Sequence, residues 1–501
     1  MTADRYAACA VKLGRVRYAG CVPRGRAFWS TLLGVVALVA CGRRAAPSAR
    51  GDARPALPSQ SASTLVVPSA QPAALASATE PLFEAPTKPR VYVKNRYVFV
   101  RPRPDVNADW LGFLWFGASV ELRGTQPIRG PGCASYYAIE PAGYVCVDEK
   151  QATLTADDPV FKAVSKYAPR LDQASPHRYG ESIGVELHGE LPGVADEFPT
   201  LPALFHEPRR RLLPFSTVAY ADERTLLGQS WLMSADLLWL KKEQITPYPE
   251  ITFHGVELGR DYQLPLAFFR QAGSHKFQRN AAGKLEKSAQ LFALQSVVQL
   301  GTELQIQRGE RYFKAAQGDD WVRERDAVLP SPRALTPWGA RVGAEDHTGL
   351  APKNARKSWI EVSVLGGWLL AYEGTRPVYA TLISPGRGGI PQEGKDTLEI
   401  AATPVGTFPI SGKLATVTMQ APGEYTHSDV PWTQNFQKPY AIHTAYWHNN
   451  WGNLQSGGCI NVSPIDGRWL FEFSEPALPK GWHAVRWQPA LGAPTLLVVH
   501  E

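Results

Sequence analysis

The stretch WIEVSVLGGWLLAYEGTRPVYATLISPGRGG, residues 359–389, contains two alternating runs that meet at Leu365-Gly366-Gly367, a third run after Gly374 and a closing glycine-rich loop. Apolar residues at every second position, rich in β-branched and aromatic side chains, mark half-buried strands, and Gly between such runs marks hairpins. A β-sandwich or barrel is implied. From Thr397 the text TLEIAATPVGTFPISGKLATVTM carries the pattern on, with Thr403-Pro404-Val405-Gly406-Thr407-Phe408 forming a turn into a further strand.

The chemistry-bearing residues follow. Tyr440-Ala441-Ile442-His443-Thr444-Ala445-Tyr446-Trp447-His448 ends one strand signal, and Ser456-Gly457-Gly458-Cys459-Ile460-Asn461 begins the next. A cysteine set directly after two glycines, with a histidine sixteen residues before it at a strand end, fits a thiol nucleophile and its base. The glycines let a ligand approach the backbone, and the N–H groups of Gly457, Gly458 and Cys459 can form an oxyanion hole. His443 can lower the thiol pKa through an ion pair. A small buried cysteine and a surface histidine are the other reading of the same residues.

On these residues the C-terminal part resembles the L,D-transpeptidase catalytic domain of the YkuD type. The hallmark of that family is a His, a spacer, then Ser/Thr-His-Gly-Cys, a hydrophobic residue and Asn or Arg. His443, Ser456, Gly458, Cys459, Ile460 and Asn461 match, and TPVGTF, DVPWT, AIHTAYWH and SPIDGRWLF are similar as well, so the resemblance covers residues 358–500. One position departs: Gly457 stands where the family has a second His. The resemblance implies a β-sandwich-like catalytic domain without metal or cofactor. In it Cys459 acylates at the position-three diaminopimelate of a tetrapeptide stem, releasing D-alanine, and His443 is the general base. A neighbouring stem or a wall-attached protein then serves as acceptor, giving a 3-3 crosslink or a tether. Tyr440, Trp447 and Trp432 are candidates to line the stem-peptide groove, and Arg468 to orient the loop, bind a carboxylate or form a salt bridge.

Upstream, Arg24 and Arg26 precede the apolar run AFWSTLLGVVALVA, residues 27–40, which is short for a bilayer span and fits the apolar core of an export signal. Leu38-Val39-Ala40-Cys41 resembles the bacterial lipobox, so residues 1–40 read as a signal peptide and Cys41 as a lipidated mature N-terminus. An ordinary cleaved signal and an uncleaved anchor are the alternatives. Residues 41–88, dominated by Ala, Pro and Ser, read as a flexible tether with a reach on the order of 150 Å when extended. The expected place is the cell envelope, facing the periplasm, with the outer membrane favoured over the inner. Of six cysteines, Cys9 and Cys21 fall in the signal, Cys133 and Cys146 flank a strand-like run suited to a hairpin disulfide, and Cys459 is the odd thiol.

Residues 89–156 (VYVKNRYVFV, WLGFLWFGASVELRG, YYAIEP, GYVCV) read as a small β-barrel resembling bacterial SH3-like modules, either a binder of cell-wall peptide or a spacer whose Trp110 and Trp115 are core. Residues 157–249 carry no nameable pattern, and 250–330 suggest a second SH3-like unit in which His254 and His275 lack metal-ligand spacing. The whole is therefore expected to be mainly β. Composition agrees: 501 residues hold 43 Gly and 42 Pro with few helix-period runs, which excludes a helical bundle. The charge of +7 is spread thinly with no Lys/Arg run, which disfavours nucleic acid as a partner. The remaining functional alternatives are an L,D-carboxypeptidase that uses water as acceptor and an inactive peptidoglycan-binding lipoprotein.

Overall fold

The computed structural model describes residues 88–189, 210–226, 228–344, 357–420 and 425–501. The segment expected to be a signal, Cys41 and all but Lys88 of the expected tether lie outside them. The described chain is mainly β, as its alternating patterns require.

Two sheets face each other in the C-terminal part. One runs in the order Val256–Glu257, Arg376–Leu382, Trp368–Glu373, Ser358–Ser363, Leu496–His500 and Gly406–Pro409. The hairpin read from residues 359–373 is present, with Val362 opposite Leu369 and Ile360 opposite Ala371. The facing sheet includes Gly412–Gln420, Thr426–Gln437, Tyr440–Thr444 and Ile460–Val462. Between them Ile360, Val362, Ile442, Ile460, Leu470 and Leu497 are fully buried, forming the interdigitated core of a sandwich.

The second sheet does not stop at the C-terminal part. Thr217–Leu226 pairs with Thr426–Gln437 through Thr217 and His427, and Ala484–Arg486 pairs with Gly112–Leu114 through Ala484 and Phe113. One sheet of twelve strands thus crosses three regions that are far apart in sequence. A buried polar cluster locks the junction. Arg96 reaches Asp236 and lies 3.5 Å from Asp429, which also accepts from Thr416 Oγ1 at 3.2 Å and Ser428 Oγ at 3.0 Å. Burial works against the Asp429 charge, yet Arg96 and its neighbours hold the carboxyl below its ordinary value. His483 stacks on Trp115 at 4.3 Å and is held neutral by burial, at about 3.

The helix Pro464–Phe473 follows the reactive segment directly. Ser463 caps it by accepting from Asp466 N, and Lys413 Nζ donates to carbonyls at its C-terminal end, Phe471 and Ser474. Asp466 is fully buried and accepts from Gly255 N, Tyr379 Oη and Thr381 Oγ1, which ties residues 255–257 to the sandwich. Leu266–Phe268 begins a separate six-stranded sheet that ends at Trp321–Arg323 in sequence. Within this part His254 and His275 bond backbone carbonyls, the ordinary polar role expected of them. Cys133 and Cys146 form a disulfide beside the hairpin of Cys133–Ala138 and Tyr144–Cys146.

Candidate active site

His443 lies in the strand Tyr440–Thr444 and pairs in parallel register with Asn461, while Ile442 pairs with Ile460. Because side chains alternate along a strand, Ile442 and Ile460 enter the core and His443 and Asn461 share the opposite face. Cys459 is the residue immediately before Ile460–Val462, half-buried in the bend that leads into this strand. On the far side of that short strand, Ser384 and Asn461 exchange backbone hydrogen bonds of 2.8 and 3.0 Å.

The loop before Cys459 is held on several sides. Gln455 N and Ser456 N donate to Pro385 O, and Arg387 N donates to Ser456 O at 2.9 Å. Ser456 Oγ donates to Cys459 O and accepts from Gly458 N at 3.0 Å, closing a tight turn within the loop. Gly458 has φ +127°, and a Cβ there would stand 2.6 Å from Tyr440 Cε1 and 2.9 Å from Ala402 O. Glycine is required by shape. Its N–H, engaged by Ser456, does not face a substrate, so the expected three-amide oxyanion hole loses Gly458 as a donor.

His443 is 4% exposed, and its Nδ1 lies 3.0 Å from Thr444 O. A carbonyl only accepts, so Nδ1 carries the proton and Nε2 presents the lone pair, the tautomer a base needs. Burial holds this imidazole down to about 4, against which the Thr444 carbonyl pulls upward. This corrects the expectation of a standing thiolate–imidazolium pair: a desolvated imidazolium is disfavoured, and the geometry suits proton transfer during attack instead.

Sequence reasoning missed the layer around this face. His427 stacks on Trp447 at 4.0 Å, its Nδ1 is sealed without a partner, and burial holds it to about 3. Asn461 Nδ2 lies 3.1 Å from His448 Nε2. Residues 157–249 supply a wall: Tyr179 stacks on Tyr446 at 3.7 Å, and Tyr446 Oη bonds Thr217 Oγ1 and donates to Ser428 O, both at 2.6 Å. No local signal in 178–220 announces these contacts, whereas His448 stood in the quoted motif and only its pairing was invisible.

Among the groove candidates Trp447 is at the site, 5.9 Å from His443. Tyr440 is 4% exposed, donates to Thr397 Oγ1 at 2.6 Å and packs beside Gly458, so it supports the loop before Cys459 instead of lining a groove. Trp432 is core: it is 3% exposed, packs on Phe471 and donates Nε1–H to Ala174 O at 2.7 Å. Arg468 is structural, bonded to Glu472 at 2.8 Å and to Asp172 O, which pins the helix Pro464–Phe473 to the 170s loop. Among the described residues no group of three His, Cys, Asp or Glu is arranged to hold a metal ion.

Comparison with known proteins follows the geometry. Residues 357–481 match the YkuD family model, described as an L,D-transpeptidase catalytic domain. No curated protein matches the chain. Among solved structures, an L,D-transpeptidase from Xylanimonas cellulosilytica is 20% identical over 29% of this chain and 60% of its own, with a TM-score of 0.21. A mutant L,D-transpeptidase of Enterococcus faecium is 22% identical over 29% of this chain and 50% of its own, with a TM-score of 0.21. An L,D-transpeptidase from Mycobacterium tuberculosis is 17% identical over 38% of this chain and 76% of its own, also at 0.21. The chain thus spans between half and three-fifths of the length of the first two.

Proposed function

We propose that the C-terminal sandwich is a cysteine-dependent L,D-transpeptidase acting on peptidoglycan stem peptides. The observation that carries this reading is the parallel register of His443 with Asn461 beside Cys459, with the His443 proton held at Nδ1. The Cys459 thiol loses its proton to His443 Nε2 as sulfur attacks the carbonyl of diaminopimelate at position three. The tetrahedral intermediate collapses to a thioester as His443 returns the proton to departing D-alanine. An amine from a second stem or a wall-attached protein then attacks the thioester.

The same proposal places the protein in the envelope, tethered by a lipid on Cys41 through residues 41–88, with the outer membrane favoured over the inner and residues 89–156 and 250–330 as SH3-like modules. The Cys133–Cys146 disulfide supports an oxidising compartment. The test is mass analysis of muropeptides after incubation with the purified chain. Dimers joined 3-3 support the transpeptidase, shortened monomers would make it a carboxypeptidase, and unchanged muropeptides would leave a wall-binding protein.

A further inference from the structure

Residues 445–455 join the strand of His443 to the turn before Cys459 and form neither helix nor strand. A loop of this kind keeps its shape where its backbone polar groups find partners. From the sandwich, Ile383 O accepts from Gly452 N at 2.8 Å and Ser384 Oγ donates to Asn450 O at 2.7 Å. Further holds come from the six-stranded sheet that begins at Leu266–Phe268. Arg270 donates Nη1–H to Gly452 O at 2.7 Å, and Gln295 Nε2 donates to Asn449 O at 2.9 Å. These two side chains share one anchor. Arg270 directly follows residues 266–269, all fully buried, and Phe269 O accepts from Gln295 N at 2.6 Å. The approach is close: Gly452 has φ +85°, and a Cβ there would stand 2.8 Å from Arg270 Cβ. Beside them Trp451, 1% exposed, stacks on Phe253 with ring centroids 6.2 Å apart.

We propose that Arg270 and Gln295 are positioning residues of the candidate active site: from a separate sheet they clasp residues 449–452 and so fix where the loop sets Trp447 and His448. The loop reaches both strands of the site. Trp447 stands 5.9 Å from His443, and His448 Nε2 lies 3.1 Å from Nδ2 of Asn461, in the short strand that follows Cys459. Ser384, which holds Asn450, also exchanges backbone hydrogen bonds with Asn461, so the loop and that strand share an anchor. A hydrogen bond from a charged guanidinium is stronger than one from a neutral amide, so Arg270 is the larger contributor of the two. A displacement of about 1 Å away from the chemistry can cost about 100-fold in rate. The effect on rate rests on the proposed reaction; the clasp does not.

The test compares the full chain with Arg270→Met, Arg270→Lys and Gln295→Met in two measurements: hydrogen exchange of peptides covering 445–455, and kcat and KM for D-alanine release from a tetrapeptide stem. Arg270→Met keeps an aliphatic stem and removes the donor, whereas Arg270→Lys keeps a charged donor. In Arg270→Met, loop exchange should be about tenfold faster while Ser358–Ser363 and Trp368–Glu373 keep the parent's rate, and kcat should fall about tenfold, more than KM changes. Gln295→Met should show the same pattern more weakly, and Arg270→Lys should return both measurements toward the parent. Parent-like loop exchange in folded Arg270→Met would overturn the proposal, as would faster loop exchange with kcat unchanged. So would equal acceleration in the two core strands, which marks general loosening, or a loss in Arg270→Lys as large as in Arg270→Met, because the donor would then not be what holds Gly452. Should Arg270→Met fail to fold, Gln295→Met decides by itself. A parent chain that releases no D-alanine would fail the proposed function, and the exchange comparison alone would then decide the clasp.

Discussion

His427 lies face to face with Trp447, ring centroids 4.0 Å and planes 16° apart, and the same indole stands 5.9 Å from His443. One aromatic plate thus packs against two buried histidines. Desolvation keeps both rings neutral far below the range of an exposed imidazole, at about 3 for His427 and about 4 for His443. Acylation should therefore hold its rate through mild acid and fall only as the pH approaches 4, where His443 gains a proton and ceases to be a base. Carbapenems acylate the nucleophilic Cys in the family this domain resembles, so adduct growth by intact-protein mass at stepped pH reads this directly. A midpoint near 6.5 would mean that a solvated base does the work. His443→Ala should slow the adduct by roughly 100-fold or more at pH 7, and the difference from the parent should shrink as the pH approaches 4.

The same burial predicts how the fold responds to acid. His177, His427, His443 and His483 are all held below their ordinary value by desolvation, at between about 3 and about 4. Below pH 6.5 the unfolded chain takes up protons at these positions while the folded chain does not, so stability is lost as pH falls from 6.5 toward 4. Each histidine contributes at most about 1.4 kcal/mol per pH unit across that window. Urea denaturation at pH 7 and pH 5 measures it, and equal midpoints would contradict the sealed state of these rings.

What the sequence made legible were features with a local period or a local reason. The strands of residues 359–382 follow from alternation and the Cys133–Cys146 pair from proximity in the chain. Pairings across hundreds of residues left no such trace. Tyr179 on Tyr446, Thr217 beside His427 and Arg96 against Asp429 depend on how distant strands join one sheet, which no periodicity encodes. For the same reason Trp432 and Arg468, plausible in a groove by type, proved to be bound to Ala174 and Asp172 from another region.

Arg96 should be indispensable although it is remote from the thiol in sequence. Its guanidinium, 17% exposed, faces Asp236 and the fully enclosed Asp429, two residues after His427. Arg96→Met leaves a buried carboxylate without its cation, a loss on the order of 3–5 kcal/mol. Asp429→Asn in the Arg96→Met background should recover part of it, since the enclosed one of the two carboxylate charges is then removed. Chemical denaturation of Arg96→Met, Asp429→Asn and the double variant measures the coupling, and strictly additive losses would refute it.

Cys459→Ala should abolish turnover and adduct formation while moving the melting temperature little. The thiol is half-buried at a loop end, so its removal deletes few packing contacts. Residual adduct in this variant, located by peptide mapping, would identify another nucleophile.

The two glycines before the thiol should behave oppositely. At Gly458 the left-handed φ of +127° and the atoms waiting at 2.6 and 2.9 Å leave no room for a methyl group. Gly458→Ala must displace either the Tyr440 ring or the Ala402 carbonyl, and with them the turn that Ser456 Oγ closes, so both melting temperature and acylation rate should fall. Gly457 is partly exposed, and the family motif carries histidine at this place. Gly457→His should fold and should accelerate carbapenem adduct formation, because a second imidazole beside the thiol supports its ionisation. A time course by intact-protein mass compares both variants with the parent. An inert Gly457→His would mean that this loop has settled into a geometry in which His443 serves as base without help from position 457.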